Sequence, residues 1–441
     1  MTSDQKEPFR SRSSSREFLL YKTDAKPRDE KTDDTLPVKS DELRQAYPEM
    51  HSGKAFIDYA MAELENSSKF IAMVIRIDDT GATQPGSGLR IDLAQTVDTA
   101  CRDKNGLWGQ LESNTLGCFF PETDETSAPA LAQNIQRRLA ERRDETVSMG
   151  IAAYPAKDFH KHQILENARK ALDHAAFFGP NSSVLFDAVS LNISGDTYYQ
   201  NQDINGAINE FKTALSLAPS NVNVHNSLGV CFGVLGDYDK ARAEFEEVLR
   251  IDPAETMAVY NLGLVSLLTG NKKEALGYFL EAYGHETEIF EVAFQAGKLY
   301  LEMEQSEKAK PFFEKAVELK PESGLTCRYL GDCCVSLNLV GEAVAAYKKA
   351  IRQNPNDADS LSALGYLFDL QGENPEITTI FCQQSIDISP DNGLFRYRLG
   401  SLYLKRNQLE DALEQFQKAD ELGHDAKTLI QKVQKLMSDA G

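Results

Sequence analysis

Between residues 56 and 186 the chain switches repeatedly between helical and strand-like spacing of its apolar positions. Phe56–Asn66 has helical spacing, Phe70–Ile77 (FIAMVIRI) is a continuous apolar run of strand length, and Ile91–Arg102 reads as an amphipathic helix. Two strands are expected around Glu112–Thr115, a helix near Ser127–Arg143 and a strand over TVSMGIAAYP; a helix over Ile164–Phe178 and a strand over Ser183–Phe186 follow. Strands that alternate with helices predict an α+β or α/β layer, a sheet covered by helices.

From Ala188 onward the pattern becomes periodic. Glycines recur at Gly195, Gly229, Gly263, Gly297, Gly331, Gly365 and Gly400, at spacings of 34 residues and finally 35. Alanine follows twelve residues later at Ala207, Ala241, Ala275, Ala309, Ala343 and Ala412, and an aromatic four further on at Phe211, Phe245, Phe279, Phe313, Tyr347 and Phe416. Proline closes five units, at Pro219, Pro253, Pro321, Pro355 and Pro390, whereas Thr287 and His424 stand in that place in two others. Small residues let two antiparallel helices approach, the aromatic fills the space beside them, and proline, unable to continue a helix, sets the turn. Each pair leaves an apolar face that only the next pair can cover.

This spacing resembles the tetratricopeptide repeat (TPR), with seven units over residues 188–221, 222–255, 256–289, 290–323, 324–357, 358–392 and 393–425. The sixth carries an extra residue in its Gly372-Glu373-Asn374-Pro375 turn. Residues 426–441 supply a capping helix, with Leu429, Ile430, Val433 and Leu436 on one face. The expected fold is thus an α+β domain over residues 51–187 followed by an all-α superhelical solenoid. The stretch before it, residues 1–50, is rich in Ser, Asp, Lys, Arg and Pro and reads as disordered apart from the apolar patch Phe18-Leu19-Leu20-Tyr21. Its Arg12-to-Arg16 spacing resembles the Arg-x-x-x-Arg of PilZ-type cyclic-dinucleotide receptors, without the rest of such a domain.

Charge narrows the partners. Of a net −20, residues 1–50 carry −1, residues 51–187 carry −5 and residues 188–441 carry −14. An acidic solenoid repels phosphate backbones and anionic lipid, which disfavours nucleic acid and membrane surfaces and leaves proteins as partners. No run of 18 apolar residues exists and the first 20 residues lack an apolar signal core, so the expected compartment is the cytoplasm. Seven cysteines without a C-x-x-C pair fit a reduced interior, and the adjacent Cys333 and Cys334 place at least one thiol in the core. His160 and His162 sit in a polar lead-in, read as solvated surface.

The segment from about Met50 to Asp187 resembles a degenerate GGDEF (diguanylate cyclase-like) domain, through Ser148-Met149-Gly150-Ile151-Ala152 and through ARKALDHAAFFGPNSSVLF over Ala168–Phe186. That family joins two nucleoside triphosphates with metals held on carboxylates. Under the resemblance, Arg76 occupies the first metal-binding Asp position and Asp78 the second. The signature Gly-Gly-Asp-Glu-Phe falls on Glu112-Ser113-Asn114-Thr115-Leu116, and the base-recognition stretch on Gln84-Pro85-Gly86-Ser87-Gly88-Leu89. The inhibitory Arg-x-x-Asp falls on Asp103 and Gly106. An arginine cannot coordinate a cation, so the expectation is no catalytic residue, no metal, no cofactor and no enzyme activity, with Asp78 and Glu112 as the one remaining candidate metal pair.

In TPR arrays the first helix of each pair lines the inner face. The residues three before, one after and four or five after each repeat glycine give a candidate groove: Asn226, Val230, Val234, Tyr260, Leu264, Leu267, Phe294, Lys298, Leu301, Arg328, Asp332, Tyr366, Tyr397 and Leu404. Its middle is apolar and aromatic, which suits an extended or helical peptide with a few apolar anchors. A carboxylate clamp, which needs Lys and Asn on the first helix and Lys and Arg on the third, is not supported: Asn226 and Val230 occupy the corresponding places of the second repeat and Met257 and Asn261 those of the third. The expected function is a non-enzymatic cytoplasmic adaptor, the cyclase-like domain acting as a docking or regulatory module. The alternative is a receptor in which that domain binds GTP or cyclic di-GMP without turnover and controls the groove.

Overall fold

The computed structural model describes residues 42–78 and 88–440. The chain divides into two compact units, residues 1–261 and 262–441. The first unit holds the sheet domain together with the first two helix pairs.

Five strands form one sheet in the order β2-β3-β1-β4-β5. They are β1 (Phe70–Ile77), β2 (Leu107–Glu112), β3 (Thr115–Pro121), β4 (Val147–Tyr154) and β5 (Ser183–Leu185). β1 lies at the centre, antiparallel to β3 and β4, with Val74 opposite Gly117 on one side and Gly150 on the other. Its continuous apolar run follows from burial on both faces. Ile71, Met73 and Ile75 pack under α3 (Leu89–Arg102) and α4 (Ala128–Ala140). Phe70, Ala72 and Val74 pack under α2 (Gly53–Glu63) and α5 (Ile164–Ala175). Gly150 lets α5 lie directly on β4, because a Cβ there would run into the backbone of Ala168 and Leu172.

One element departs from the sequence reading. Within the stretch expected to lack structure, Glu42–Ala46 forms a short helix, α1, whose Leu43 is 1% exposed in the core. Tyr47 and Met50 pack beside it, Tyr47 edge-on to Trp108 at 5.1 Å. Leu43, Tyr47 and Met50 sit at helical spacing, and their apolar stripe docks on the sheet domain although the surrounding residues are polar. Residues 1–41, including Arg12, Arg16 and the Phe18–Tyr21 patch, lie outside the described residues.

β5 runs into the repeats without a linker. The Asp187 carboxylate accepts from the Ser190 backbone N–H at 2.9 Å and caps α6 (Ala188–Gln200). α5 packs against α6. Lys170 Nζ donates to both carboxylate oxygens of Glu210, on α7 (Ile204–Leu217), at 2.7 and 2.8 Å, and both side chains are 15% exposed. His174 Nδ1 lies 3.2 Å from Ser190 Oγ. The first unit continues with α8 (Val222–Leu235), α9 (Tyr238–Ile251) and the start of α10 (Thr256–Leu268).

The second unit continues from α10 with α11 (Lys272–His285), α12 (Phe290–Glu302) and α13 (Ser306–Leu319). It goes on through α14 (Gly324–Ser336), α15 (Val340–Gln353), α16 (Ala358–Leu370) and α17 (Pro375–Ile388). The last pair is α18 (Gly393–Lys405) with α19 (Leu409–Glu421), and α20 (Lys427–Ala440) closes it, with Val433 buried and Leu429 and Ile430 packed beside α19. Within pairs the repeat glycine meets the aromatic: a Cβ on Gly229, Gly263 or Gly331 would lie 2.6 Å from the ring of Phe245, Phe279 or Tyr347. The sixth pair differs because its extra residue shifts α17 by one position. Thr378 and Cys382 take the alanine and aromatic places, and a Cβ on Gly365 would meet Cys382 Sγ at 2.7 Å.

Candidate functional site

The two carboxylates of the sheet domain's candidate metal pair, Asp78 and Glu112, are each engaged by neighbouring groups. Asp78, at the end of β1, accepts from Thr146 Oγ1 at 2.7 Å, Ser148 Oγ at 2.6 Å and the Asn181 backbone N–H at 2.8 Å. Its carboxylate ties β1 to the start of β4 and to the turn before β5. Glu112 pairs with Arg169 of α5 at 2.6 Å, and Arg76 with Asp173 at 3.8 Å. Ser113 and Asn114 form the two-residue turn between β2 and β3. Asp103 is held by Arg138 at 2.8 Å, and Gln84–Ser87 lie outside the described residues. Among the described residues no cluster of three His, Cys, Asp or Glu side chains could hold a metal. His160 and His162 stack on each other at 5.6 Å.

The groove residues divide by unit. In the first, Asn226 is 5% exposed and Val230 and Tyr260 are 0% exposed, while Val234 is half-buried. Asn261 Nδ2 donates to Asn226 Oδ1 at 3.0 Å, joining α10 to α8. The expectation of an open apolar stripe is therefore corrected at these positions: their side chains are core-like, because α8 is buried continuously from Asn226 to Gly233.

In the second unit Leu264 is also buried, but Leu267, Phe294, Lys298 and Leu301 are half-buried. The Phe294 ring packs on Phe290, Phe313 and Tyr329, so part of it belongs to the joint between α12 and α14. Lys298 lies 3.9 Å from Glu302, one turn on. Arg328 pairs with Asp359 and, at 3.5 Å, with Asp357. Asp332 accepts from Tyr347 Oη at 2.7 Å, and burial pushes its carboxyl above the usual range despite that bond and the nearby Arg328 guanidinium. Tyr366 is 41% exposed. Tyr397 and Leu404 pack into the cluster under α20 and help hold the last pair.

The sequence reading missed Arg398. Its Nη1 donates to Ser362 Oγ at 2.9 Å and its guanidinium lies over the Tyr366 ring at 5.4 Å. Burial lowers its affinity for a proton from the ordinary arginine value. The available signal was the position two before the repeat glycine, which is polar at Asn261, Gln295, Tyr329 and Arg398; Asn261 and Arg398 donate from it to Asn226 and Ser362 of the preceding repeat.

The sequence comparisons agree with this architecture. Models described as TPR repeat match residues 195–233 and 331–372, and models described as tetratricopeptide repeat match residues 232–287, 290–323 and 381–414. The chain is similar to the human protein O-mannosyl-transferase TMTC1, 24% identical over 215 residues, which is 48% of this chain and 24% of that protein. It is also similar to human DnaJ homolog subfamily C member 7, 22% identical over 220 residues, 47% of this chain and 44% of that protein. The chain thus spans less than half the length of these curated relatives. Similar solved structures include YrrB, a TPR protein with an unusual peptide-binding site, at 22% identity and TM-score 0.39, covering 42% of this chain and 95% of that one. MamA aligns at 26% identity and TM-score 0.34, covering 37% and 96%. The helix pairs of this chain are tetratricopeptide repeats, preceded by an α+β region with a five-stranded sheet.

Proposed function

We propose that this chain is a non-enzymatic adaptor whose repeats receive peptide or helical segments of protein partners along their inner face. The observation that carries the reading is the inner row of the second unit. Tyr366 offers an exposed ring backed by Arg398, while Phe294, Lys298 and Leu301 offer half-buried apolar and charged surface. Such a row suits a segment with an apolar anchor and an acidic or hydroxyl neighbour. Among the described residues no helix is long and apolar enough to cross a membrane. On this reading the adaptor works in the cytoplasm.

The α+β region serves, in this reading, as a GGDEF-like module that keeps the fold and has lost the chemistry. Three hydrogen bonds engage Asp78, Arg76 lies 3.8 Å from Asp173, and Glu112 is committed to Arg169. Calorimetric titration of the full chain with GTP and with cyclic di-GMP in Mg²⁺ is expected to give no heat of binding; micromolar affinity would replace the adaptor by a nucleotide receptor.

The groove is tested by affinity capture from native lysate with wild type and with Tyr366→Ala combined with Lys298→Glu. Both positions reach the surface, so helical content should be unchanged while the main captured partner is lost. Unchanged capture would move the binding surface elsewhere.

A further inference from the structure

In the second unit the second helix of each pair is rich in charge, with one exception. α11, α13, α15 and α19 carry four to six Lys, Arg, Asp or Glu residues each, whereas the 14 residues of α17 carry two, Glu376 and Asp387. One side of α17 is filled by Thr378, Cys382, Ser385 and Ile386, all buried. On the other side Ile377, Ile380 and Ile388 are 40–54% exposed, and with the exposed Gln384 they recur at intervals of three, four and four residues along one helix face. With Tyr347, Cys382 and Phe416 aligned, the places of Ile377 and Ile380 hold Glu342 and Ala345 on α15 and Asp411 and Glu414 on α19. Isoleucine forms helix less readily than Glu, Lys or Ala, and at these places it gains little burial in return, so the face is favourable only under a cover.

We propose that this face pairs with the same face of a second copy of this chain, the two α17 helices running parallel about a two-fold axis. Charge complementarity selects the occupant. In the stack of pairs α15 precedes α17 and α19 follows it, so a parallel two-fold lays α15 of one copy over α19 of the other, twice. α15 carries Lys348, Lys349 and Arg352 against Glu342, a net of +2, and α19 carries five carboxylates against Lys418, a net of −4. With the helices aligned as above, Arg352 stands level with Glu421, both exposed, so opposite charges flank an uncharged isoleucine seam on each side. The area is sufficient for a weak specific dimer. Helices about 21 Å long and about 10 Å across, three abreast, cover about 600 Å², against about 800 Å² per partner in a standard interface. The contact uses second helices and leaves the inner row of first helices to other partners. A dimer thus carries two inner rows, and a partner with two binding segments, or two partners held together, gains avidity from the pairing.

The test is sedimentation velocity of the full chain over about 1–200 µM, where a monomer–dimer equilibrium with a dissociation constant on the order of 10 µM is expected. Ile380→Glu places a carboxylate in the seam and should raise that constant about tenfold or more, with circular dichroism unchanged because the side chain is exposed in the single chain. Arg352→Glu should raise it about fivefold, and Arg352→Glu combined with Glu421→Arg, which exchanges the two charges within each copy, should bring it back to within about twofold of wild type. A chain that stays monomeric throughout, or a dimer indifferent to Ile380→Glu, overturns the proposal and gives the face to a foreign partner or to none. Loss with Arg352→Glu that Glu421→Arg does not rescue overturns the parallel arrangement, because an antiparallel pairing sets α15 against α15 and α19 against α19. The adaptor reading stands or falls separately, since Tyr366 and Lys298, the positions changed in the capture comparison, belong to first helices and not to this seam.

Discussion

At the residue scale, the side chain that looked most like a catalytic remnant holds the sheet together. Asp78 accepts three hydrogen bonds from β4 and the turn before β5, and bonds to a charged acceptor contribute about 1.5–3 kcal/mol each without adding fully. Asp78→Ala should therefore lower stability by about 2–3 kcal/mol in urea denaturation and leave Mg²⁺ binding unchanged. His225 offers a pH signature. Its Nδ1 lies 2.7 Å from Glu244 Oε2 and its Nε2 2.9 Å from the Pro219 carbonyl, two acceptors that a doubly protonated ring satisfies at once. The bond to Glu244, aided by the Pro219 carbonyl and the charge of Glu247, raises its pKa above the ordinary 6.5 against a smaller effect of burial. A raised folded pKa contributes stability that is full below the unfolded value and lost as pH rises through the folded one. The stability difference between wild type and Glu244→Gln should thus be largest below about pH 6 and shrink toward pH 9. A difference independent of pH would show that the ring stays neutral.

At the element scale, the repeat was legible because its period encodes a contact. Glycine and aromatic sixteen residues apart are the two sides of one helix crossing, as at Gly229 and Phe245, so the spacing could be read as packing. The same logic explains where it breaks. In the sixth pair Cys382 replaces the aromatic and the backbone of Thr378 approaches Gly365 closely. Cys382→Phe, though it restores the residue type the other pairs use, should overfill this crossing and cost about 1–3 kcal/mol, seen as a lower midpoint in thermal circular dichroism. A neutral result would mean that α17 can move outward. Less legible was the five-residue helix Glu42–Ala46, too short to be stable alone, which is ordered by docking Leu43, with Tyr47 and Met50 just beyond it, on the sheet domain. Hydrophobic pattern placed Val230 and Tyr260 on the inner face but could not tell an open face from a covered one, since both need apolar residues. Arg398 escaped for the opposite reason: its role depends on Tyr366 and Ser362, 32 and 36 residues away, and no local pattern announces that.

At the scale of the whole chain, the sheet domain and the first repeats belong to one unit, because α5 lies on α6 and Lys170 grips Glu210 between them. Glu210→Gln removes one partner of a mostly buried pair and should cost about 1–3 kcal/mol. The single tryptophan, Trp108, sits on β2, far along the chain from this residue of α7, so its fluorescence reports the sheet domain alone. If the unit melts cooperatively, Glu210→Gln should lower the Trp108 transition as well as the helical one. A Trp108 transition that does not move would mean that the pair joins two parts which melt separately.

All seven cysteines are buried and unpaired. Burial pushes the thiols of Cys231 and Cys382 up to about 12 and that of Cys333 to about 11, far from the thiolate that alkylating reagents attack. The folded chain therefore presents a silent background to maleimide chemistry, and dyes or spin labels can be placed at single engineered surface cysteines without first removing the native ones. The same thiols act as internal clocks. Cys118 reports opening of the sheet, Cys231 of α8, Cys333 and Cys334 of α14 and Cys382 of α17, so timed alkylation read by peptide mass would order the local openings along the molecule.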